Sequence, residues 1–132
     1  MSFLLDTDTC SAHFRRPGGL AHRFFQHSGS LFVSAVNLAE LYTGAYHVAN
    51  PQPLLDKVAE LLRDVTVLPF DANCAHSFGQ VRGGLLQRGI AVPTADLMIG
   101  ATALTHNLTL VTHNTKDYQH IPGLRLEDWL TP

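Results

Sequence analysis

The sequence has few cysteines, few lysines and no long hydrophobic run, and these scarcities exclude several classes of protein. Its two cysteines, Cys10 and Cys74, lack CxxC spacing, which fits a reducing compartment better than a disulfide framework. No apolar stretch approaches the roughly 20 residues that cross a bilayer. The segment from Met1 to Asp6 has no basic region and is not expected to be a signal peptide. We therefore expect a cytoplasmic protein without a membrane anchor.

An excess of positive charge is also missing. The 132 residues include 9 Lys and Arg against 11 Asp and Glu, which gives a formal charge of −2. This balance excludes a nucleic-acid binder that works by net charge alone. With 45% hydrophobic and 15% charged residues, the chain has the composition of a folded domain with a substantial core. Its length and its lack of repeats or linkers predict a single domain over residues 1–132.

Short apolar runs recur along the chain at the spacing of an α/β protein. They lack polar alternation, which is typical of parallel strands that are covered on both faces. The predicted strands cover residues 3–5, 31–33, 65–68 and 108–111, with a weaker edge strand at 124–126. Helical patterns fill the intervals between these runs. The alternation predicts a three-layer α/β/α sandwich around a mostly parallel sheet of four or five strands.

The predicted helices begin at residues that commonly start helices. They cover residues 8–15, 20–27, 35–47, 51 or 53 to 64, 71 to about 87, and 95 to about 106. Ser34, Asp71 and Thr94 are suited to cap three of them, because their side-chain oxygens can accept from a free backbone N–H. Gly83 and Gly84 are expected to weaken the end of the helix after Asp71.

Two acids occupy positions that a core-building sequence would avoid. Asp6 directly follows the first apolar run, and ligands of parallel sheets bind at the carboxyl ends of the strands. Its alternative role is to cap the next helix. Glu40 is predicted to lie on a helical stripe of small and apolar residues, namely Val36, Ala39, Thr43 and Gly44. A Glu in such surroundings needs a cation, a donor or a proton, and the alternative is a hydrogen bond from a Thr or Arg.

Two further acids repeat this pattern later in the chain. Asp96 lies in the first turn of its predicted helix, where the helix dipole by itself would also favour an acid. Asp117 follows the fourth predicted strand by six residues and, taken alone, is typical of a loop or capping acid. In a parallel sheet both acids lie near the edge that Asp6 occupies.

Convergence of these acids predicts a metal site. Two unit charges 4 Å apart repel by about 4 kcal/mol at an effective dielectric constant near 20, so a cluster requires bound cations or partial protonation. Ligand sets made only of oxygen select hard divalent ions over zinc. We therefore expect Mg²⁺ as the cofactor, with Mn²⁺ as a possible substitute.

Five segments carry a family resemblance that extends over essentially the whole chain. They are LLDTD at 4–8, NLAEL at 37–41, PTADLMIGA at 93–101, LVTHNTKDY at 110–118 and IPGLRLEDW at 121–129. In this order and at these separations they resemble PIN-domain ribonucleases, and more closely the VapC-type toxins of bacterial toxin–antitoxin pairs. No single segment is specific, since Asp-Thr-Asp is common.

The resemblance implies a set of site residues. The metal-binding acids it implies are Asp6, Glu40, Asp96 and Asp117. It further implies Thr112 as a small polar residue near the metal and Asn114 as a supporting residue. Asp8 stands where relatives usually have Asn, and its role is open between cap, ligand and outer contact. Asn114 stands where some relatives have another Asp, which leaves the number of metals open.

The resemblance also implies an activity and partners. The activity is metal-dependent hydrolysis of RNA by an activated water, which leaves 5′-phosphate and 3′-hydroxyl ends, with Glu40 either binding the metal or orienting the water. The partners are a second copy of the chain in a homodimer and a cognate VapB-type antitoxin that lays a C-terminal segment across the active site. Phe14, Phe24, Phe25 and Tyr46 are candidates for these surfaces, and each is equally suited to the core.

Charge outside the acidic cluster is compatible with RNA as substrate. Without Asp6, Asp8, Glu40, Asp96 and Asp117 the formal charge changes from −2 to +3. The remainder can therefore hold a phosphate backbone weakly and with strong dependence on salt. The candidates for RNA contact are Arg15, Arg16 and Arg82.

Three other interpretations compete with a nuclease. The run from Asp6 to Thr9 resembles the start of haloacid-dehalogenase-type phosphatases, in which Asp6 would be the nucleophile. Against it, Cys10 replaces the usual Thr or Val, and a phosphate-binding Lys is not evident, since Lys57 and Lys116 are the only lysines. A PIN-like domain that binds RNA or a partner without catalysis would be expected to lack some of the acids.

The third competing interpretation is a zinc site. Cys10 and His13 have i, i+3 spacing, and His106, His113 and His120 recur every seven residues. Neither set forms the paired motif of structural zinc, so we expect scattered surface or polar-core histidines.

Overall fold

The computed structural model describes residues 1–15 and 19–131. Arg16 lies outside these ranges, so the prediction that it contacts RNA has no structural counterpart here. The described residues form five strands and seven helices in the order β1 (Phe3–Leu5), α1 (Thr7–Arg15), α2 (Ala21–Gln26), β2 (Leu31–Ser34), α3 (Ala35–His47), α4 (Gln52–Asp64), β3 (Thr66–Leu68), α5 (Ala72–Gln87), α6 (Thr94–Thr105), β4 (Thr109–Val111), α7 (Thr115–Tyr118) and β5 (Leu126–Glu127).

All strand pairs described in the sheet are parallel. The order is β3-β2-β1-β4-β5, so β1 is the central strand. Leu5 at the end of β1 is in register with Val111 at the end of β4, and Ser34 at the end of β2 is in register with Leu68. The residues that follow β1, β2 and β4 therefore emerge side by side at one edge of the sheet, as the sequence predicts.

The strands send alternate side chains into two separate hydrophobic cores. Phe3 and Leu5 of β1 pack in the core on the side of α1 to α4, whereas Leu4 packs in the core formed with α5, α6 and α7. Val111 and Leu110 of β4 divide in the same way. This two-sided burial explains the absence of polar alternation and confirms the three-layer α/β/α sandwich. β3 differs, because Thr66 and Val67 are exposed at the edge of the sheet.

Two of the three predicted caps form as expected. Ser34 accepts from the Asn37 N–H at 3.0 Å and Asp71 accepts from the Cys74 N–H at 3.0 Å. Thr94 is the first residue of α6, and the capping position is Pro93, so the predicted cap at Thr94 is wrong by one residue. Proline can hold this position because its fixed φ suits the entry into a helix.

Gly83 and Gly84 do not weaken α5, which continues to Gln87. Leu85, which immediately follows them, is 1% exposed and anchors this last turn in the core. Tertiary burial here outweighs the low helix propensity of glycine. Within the described residues, every helix is too short or too polar to cross a membrane.

Candidate active site

A polar cleft of about 120 Å³ lies at the carboxyl end of the central strand. It is lined by Asp6, Thr7, Asp8, Glu40, Asp96, Ile99, Asn114 and Tyr118. These residues come from four separate stretches of the chain, namely the β1–α1 junction, α3, α6 and the segment after β4. Three of the four predicted metal-binding acids thus meet at one cleft, together with Asp8 and the predicted supporting residue Asn114.

Asp6 is buried at the position predicted for it, and its predicted metal binding stays a prediction. Its Oδ1 accepts from the Thr9 N–H at 2.8 Å and so caps α1, while the residue also lines the cleft. Its own N–H donates to the Val111 carbonyl, which ties it to β4. Burial raises the pKa of Asp6; hydrogen bonds from Thr112 and Thr9 oppose the shift, and the nearby charge of Asp8 adds to it.

Glu40 is half-buried on α3 and does not lie on an apolar stripe. The buried face of α3 is formed by Asn37, Leu41 and Ala45, whereas three of the predicted stripe residues, Ala39, Thr43 and Gly44, are exposed. The expectation of apolar neighbours was therefore wrong, because α3 is rotated about its axis by one residue relative to the predicted stripe. Glu40 Oε1 accepts instead from the Thr7 hydroxyl at 2.5 Å, and the carboxylate faces the cleft.

Asp96, in the first turn of α6, has a pKa that is raised by its surroundings. Burial raises its pKa, and the charges of Asp117, Glu40 and Asp6 raise it further, while a hydrogen bond from Tyr118 opposes them. Burial and the charges of Asp96, Asp6 and Glu40 also raise the pKa of Tyr118, so its phenol stays protonated and donates. Burial is thus the main reason for the raised pKa of Asp96, and the charges of the neighbouring acids add to it.

Tyr118 is a site residue that sequence reasoning missed. It ends α7, is 2% exposed, and packs against α6 beside Gly100. A Cβ at Gly100 would lie 2.9 Å from Cδ1 of Ile121 and 3.6 Å from the Tyr118 ring, so glycine there allows the close approach. The tyrosine follows Asp117 directly in the LVTHNTKDY segment, which is the only sequence signal that pointed to it.

Asp117 and Thr112 are joined to the cleft through Asn114. The Asn114 amide donates to Asp117 Oδ2 at 2.7 Å, and the Asn114 N–H donates to Thr112 Oγ1 at 3.0 Å. Thr112 is fully buried and also donates to Asp6. Asn114 itself lines the cleft. The structure therefore makes Thr112 a support for two neighbouring residues, and Asp117 an acid held close to Asp96.

The donor set suits a hydrated hard cation. Among residues 1–15 and 19–131, no three His, Cys, Asp or Glu side chains lie close enough together to hold a metal ion by themselves. Mg²⁺ usually keeps several water ligands and is held by one or two carboxylates, so an open cleft of carboxylate, amide and hydroxyl oxygens fits it. Protein zinc sites typically include His or Cys ligands, and the described lining of this cleft contains neither.

Three residues of the zinc interpretation, Cys10, His13 and His113, have other contacts in the structure. Cys10 is buried in the core, and burial raises the pKa of its thiol. His13 Nδ1 accepts from the Leu20 N–H at 3.0 Å and its ring stacks on Phe24 with centroids 4.3 Å apart. His113 Nδ1 lies 3.0 Å from Asp128 Oδ2. The structure gives no support to a zinc site.

The two described arginines of the predicted RNA surface differ. Arg82 donates to the Val92 carbonyl at 2.9 Å and to Thr94 Oγ1 at 3.3 Å, and its guanidinium lies over Phe78. These contacts hold the loop that leads into α6, so Arg82 has a structural role, and its contact with RNA stays a prediction. Arg15 is exposed at the end of α1.

A second, more apolar groove of about 340 Å³ adjoins the cleft. Its lining comes from α1, α3 and α4: Ser11, Phe14, Arg15, Glu40, Leu41, Gly44, Ala45, Leu54 and Val58. Glu40 belongs to both the groove and the cleft. Of the aromatic residues predicted for partner surfaces, Phe14 lines this groove, Phe24 is buried, and Phe25 and Tyr46 are exposed.

Comparison with known proteins identifies the class of this fold and site. The family model described as PIN domain matches residues 3–124, and the chain therefore belongs to the PIN domain family. It is similar to the tRNA(fMet)-specific endonuclease VapC of Shigella flexneri, with 34% identity over 98% of both chains. It is also 30% identical to Ribonuclease VapC2 of Haemophilus influenzae, over 98% of this chain and 99% of the relative. Within the PIN family, these relatives place the chain among the VapC ribonucleases.

Solved structures agree with this placement. The DNA-bound VapBC complex of Salmonella typhimurium contains a chain that matches with a TM-score of 0.92 and 33% identity, over 98% of both chains. VapBC2 of Rickettsia felis bound to a promoter DNA fragment matches with a TM-score of 0.91 and 29% identity, over 98% of this chain and 99% of that one. These matches confirm the family resemblance and favour a nuclease over a haloacid-dehalogenase-type phosphatase.

Proposed function

We propose that this chain is the toxin of a VapBC-type pair, a metal-dependent endoribonuclease that hydrolyses RNA with an activated water, and that residues 1–132 act as one nuclease domain. The observation that carries the proposal is the meeting of Asp6, Glu40 and Asp96 in one cleft of a PIN-family chain, with Asp117 close enough to raise the pKa of Asp96. A domain that only binds RNA would have no need to hold several carboxylates together against their repulsion.

The cofactor we propose is Mg²⁺, with Mn²⁺ as a substitute. A bound divalent cation lowers the pKa of a water ligand and neutralises charge on the phosphate in the transition state. Asp6 and Asp96 are suited to hold the cation, and Asp117 to contact it directly or through water. Glu40 has one carboxylate oxygen engaged by Thr7, which leaves the other to bind the ion or orient the attacking water. Thr112 and Asn114 keep Asp6 and Asp117 in place, and Asp8 adds negative charge beside Asp6.

RNA is the substrate class that these features support. The acidic cleft repels a phosphodiester until a cation reverses the local charge. Because the rest of the molecule is net positive, it can then attract a polynucleotide backbone. The Shigella flexneri relative is named as specific for tRNA(fMet), so initiator tRNA is the first substrate to test.

A VapB-type antitoxin is the proposed partner, and the groove beside Glu40 is the surface we assign to it. A segment lying in this groove reaches the cleft directly, because Glu40 lines both. Phe14 and Leu41 would supply apolar contacts and Arg15 a charge at the rim. We further propose that the toxin is a cytoplasmic homodimer.

The proposal is tested by incubating the purified chain with initiator tRNA and total RNA, with Mg²⁺ or with EDTA. We expect cleavage only with the metal and its loss in Asp96→Asn, with circular dichroism confirming that the variant folds. Sequencing of the ends should show 5′-phosphates. Cleavage that persists in EDTA, or products with 2′,3′-cyclic phosphates, would contradict the proposed mechanism, and binding without cleavage would favour a non-catalytic domain.

A further inference from the structure

A chain of hydrogen bonds runs from the end of β2 to the cleft. The Ser34 N–H and hydroxyl both donate to Asn37 Oδ1, at 3.0 and 2.7 Å. The Asn37 amide nitrogen donates to Thr7 Oγ1 at 3.1 Å, and the Thr7 hydroxyl donates to Glu40 Oε1. Asn37 is 0% exposed, so the start of this chain is shielded from water, while the bond from Thr7 to Glu40 is half-buried at the cleft.

The direction of each donation in this chain is fixed. A backbone N–H can only donate, so the Ser34 N–H requires the oxygen of the Asn37 amide to face it. The amide nitrogen then faces Thr7 and occupies a lone pair of the hydroxyl. A hydroxyl has one proton, and Thr7 is left to give it to Glu40. Glu40 therefore receives a directed hydrogen bond on one oxygen, while its carboxylate faces the cleft.

We propose that Thr7 and Asn37 are positioning residues for Glu40 in the metal site. This inference rests on the proposed function and extends it to two residues outside the acidic set. Glu40 is only half-buried on the exposed side of α3, and its described hydrogen bond is the one from Thr7. Removing a residue that orients a metal-ligating carboxylate typically weakens metal binding by roughly 10- to 100-fold.

The experiment uses Thr7→Val, which keeps the shape of the side chain and removes the hydroxyl. Thr7→Ser restores the hydroxyl and serves as the conservative variant. Thr43→Val is the matched control, because Thr43 lies one turn after Glu40 and its hydroxyl donates only to the Ala39 carbonyl. Mn²⁺ binding to the RNA-free protein is measured by calorimetry or electron paramagnetic resonance, and kcat and KM for RNA cleavage are measured alongside.

We expect Thr7→Val to weaken Mn²⁺ binding about tenfold and to lower kcat more than it raises KM. Thr7→Ser and Thr43→Val should stay within about threefold of the wild type, below the effect of removing an outer contact. A Thr7→Val protein that loses thermal stability but keeps its Mn²⁺ affinity would overturn the inference, since Thr7 would then be merely structural. An equal loss in Thr43→Val would overturn it as well.

Asp96→Asn separates this inference from the proposed function. If Asp96→Asn weakens Mn²⁺ binding and Thr7→Val does not, the positioning role fails and the proposed function stands. If neither variant changes Mn²⁺ binding, the cleft is not the metal site and both fail. Asn37→Asp gives a second variant, because its carboxylate would compete for the Thr7 proton; it should weaken Mn²⁺ binding as Thr7→Val does.

Discussion

The cleft has two walls that are held in place by different forces. The N-terminal wall consists of Asp6, Thr7, Asp8 and Glu40, and the C-terminal wall consists of Asp96, Ile99, Asn114 and Tyr118. In the N-terminal wall, Asp6 and Glu40 accept hydrogen bonds from groups fixed by helix starts. In the C-terminal wall, Asp96 has its pKa raised by burial and by three other acids. The acids of the first wall are held by hydrogen bonds from α1, and the acid of the second wall is under repulsion that a bound cation would relieve.

The largest expected effect separates the two roles of Asp6 in the N-terminal wall. Both Asp6→Asn and Asp6→Ala remove a carboxylate that we propose binds the metal, and both should lower RNA cleavage by roughly 10³-fold, as expected for several kcal/mol of lost stabilisation. Only Asp6→Asn retains an oxygen for the Thr9 N–H. Asp6→Ala should therefore be less stable than Asp6→Asn by about 1 kcal/mol in urea unfolding without metal. Equal stabilities would show that the cap contributes nothing.

The next effect tests how the C-terminal wall holds Asp117. Asn114→Ala removes the side-chain amide that donates a hydrogen bond to Asp117, and this bond connects Asp117 to the C-terminal wall. We expect cleavage to fall by roughly tenfold, at the lower end of the effect of losing an outer contact. Gln119→Ala, an exposed residue just after α7, is the control and should leave the rate unchanged. An Asn114→Ala enzyme with wild-type kcat would remove Asp117 from the site.

Repulsion in the C-terminal wall predicts a pH-dependent stability. The folded-state pKa of Asp96 is raised above its ordinary value of 3.8, so its contribution to stability is full below 3.8 and is lost as the pH rises through the raised pKa. Without metal at pH 8, Asp96→Asn should therefore melt about 2–4 °C above the wild type, a small shift because the group is partly solvated. The difference should shrink near pH 4, and Mg²⁺ should raise the Tm of the wild type more than that of the variant. A difference that does not change with pH would contradict this.

The smallest expected effect lies outside both walls. Arg15→Gln at the exposed end of α1 should reduce the slope of log affinity for single-stranded RNA against log salt by about 0.7, the contribution of one phosphate contact. Arg63→Gln is the control, because Arg63 is exposed in the last turn of α4, just before β3 begins, and so lies near the opposite edge of the sheet. Identical slopes for the two variants would exclude Arg15 from the RNA surface.

Sequence patterns predicted the frame of the molecule well for a physical reason. The apolar runs that became β1, β2 and β4 and the helix start at Ser34 are local signals, and each agrees with the tertiary environment that the structure supplies. The parallel arrangement then brought Asp6, Glu40 and Asp96 together, and the resemblance to the PIN family is confirmed. That these acids bind the metal stays a prediction.

The sequence did not predict the partners of these acids. Asn37 is a polar residue at a core position, and only the Ser34 cap and the Thr7 hydroxyl make its burial favourable. The predicted rotation of α3 about its axis was wrong for the same reason. A count of apolar residues alone places Asn37 on the exposed side of the helix and Glu40 on the buried side. The S-x-x-N spacing of the capping box was the one local signal for Asn37.

The central position of β1 has a consequence for how the toxin is made. β1 pairs with β4, and the Thr9 hydroxyl donates to the Val111 carbonyl 102 residues further along. Such distant parallel pairing forms slowly and only after nearly the whole polypeptide has been translated. The cleft therefore cannot assemble until the segment after β4, which supplies the last of its four stretches, has been translated and the sheet has formed around β1.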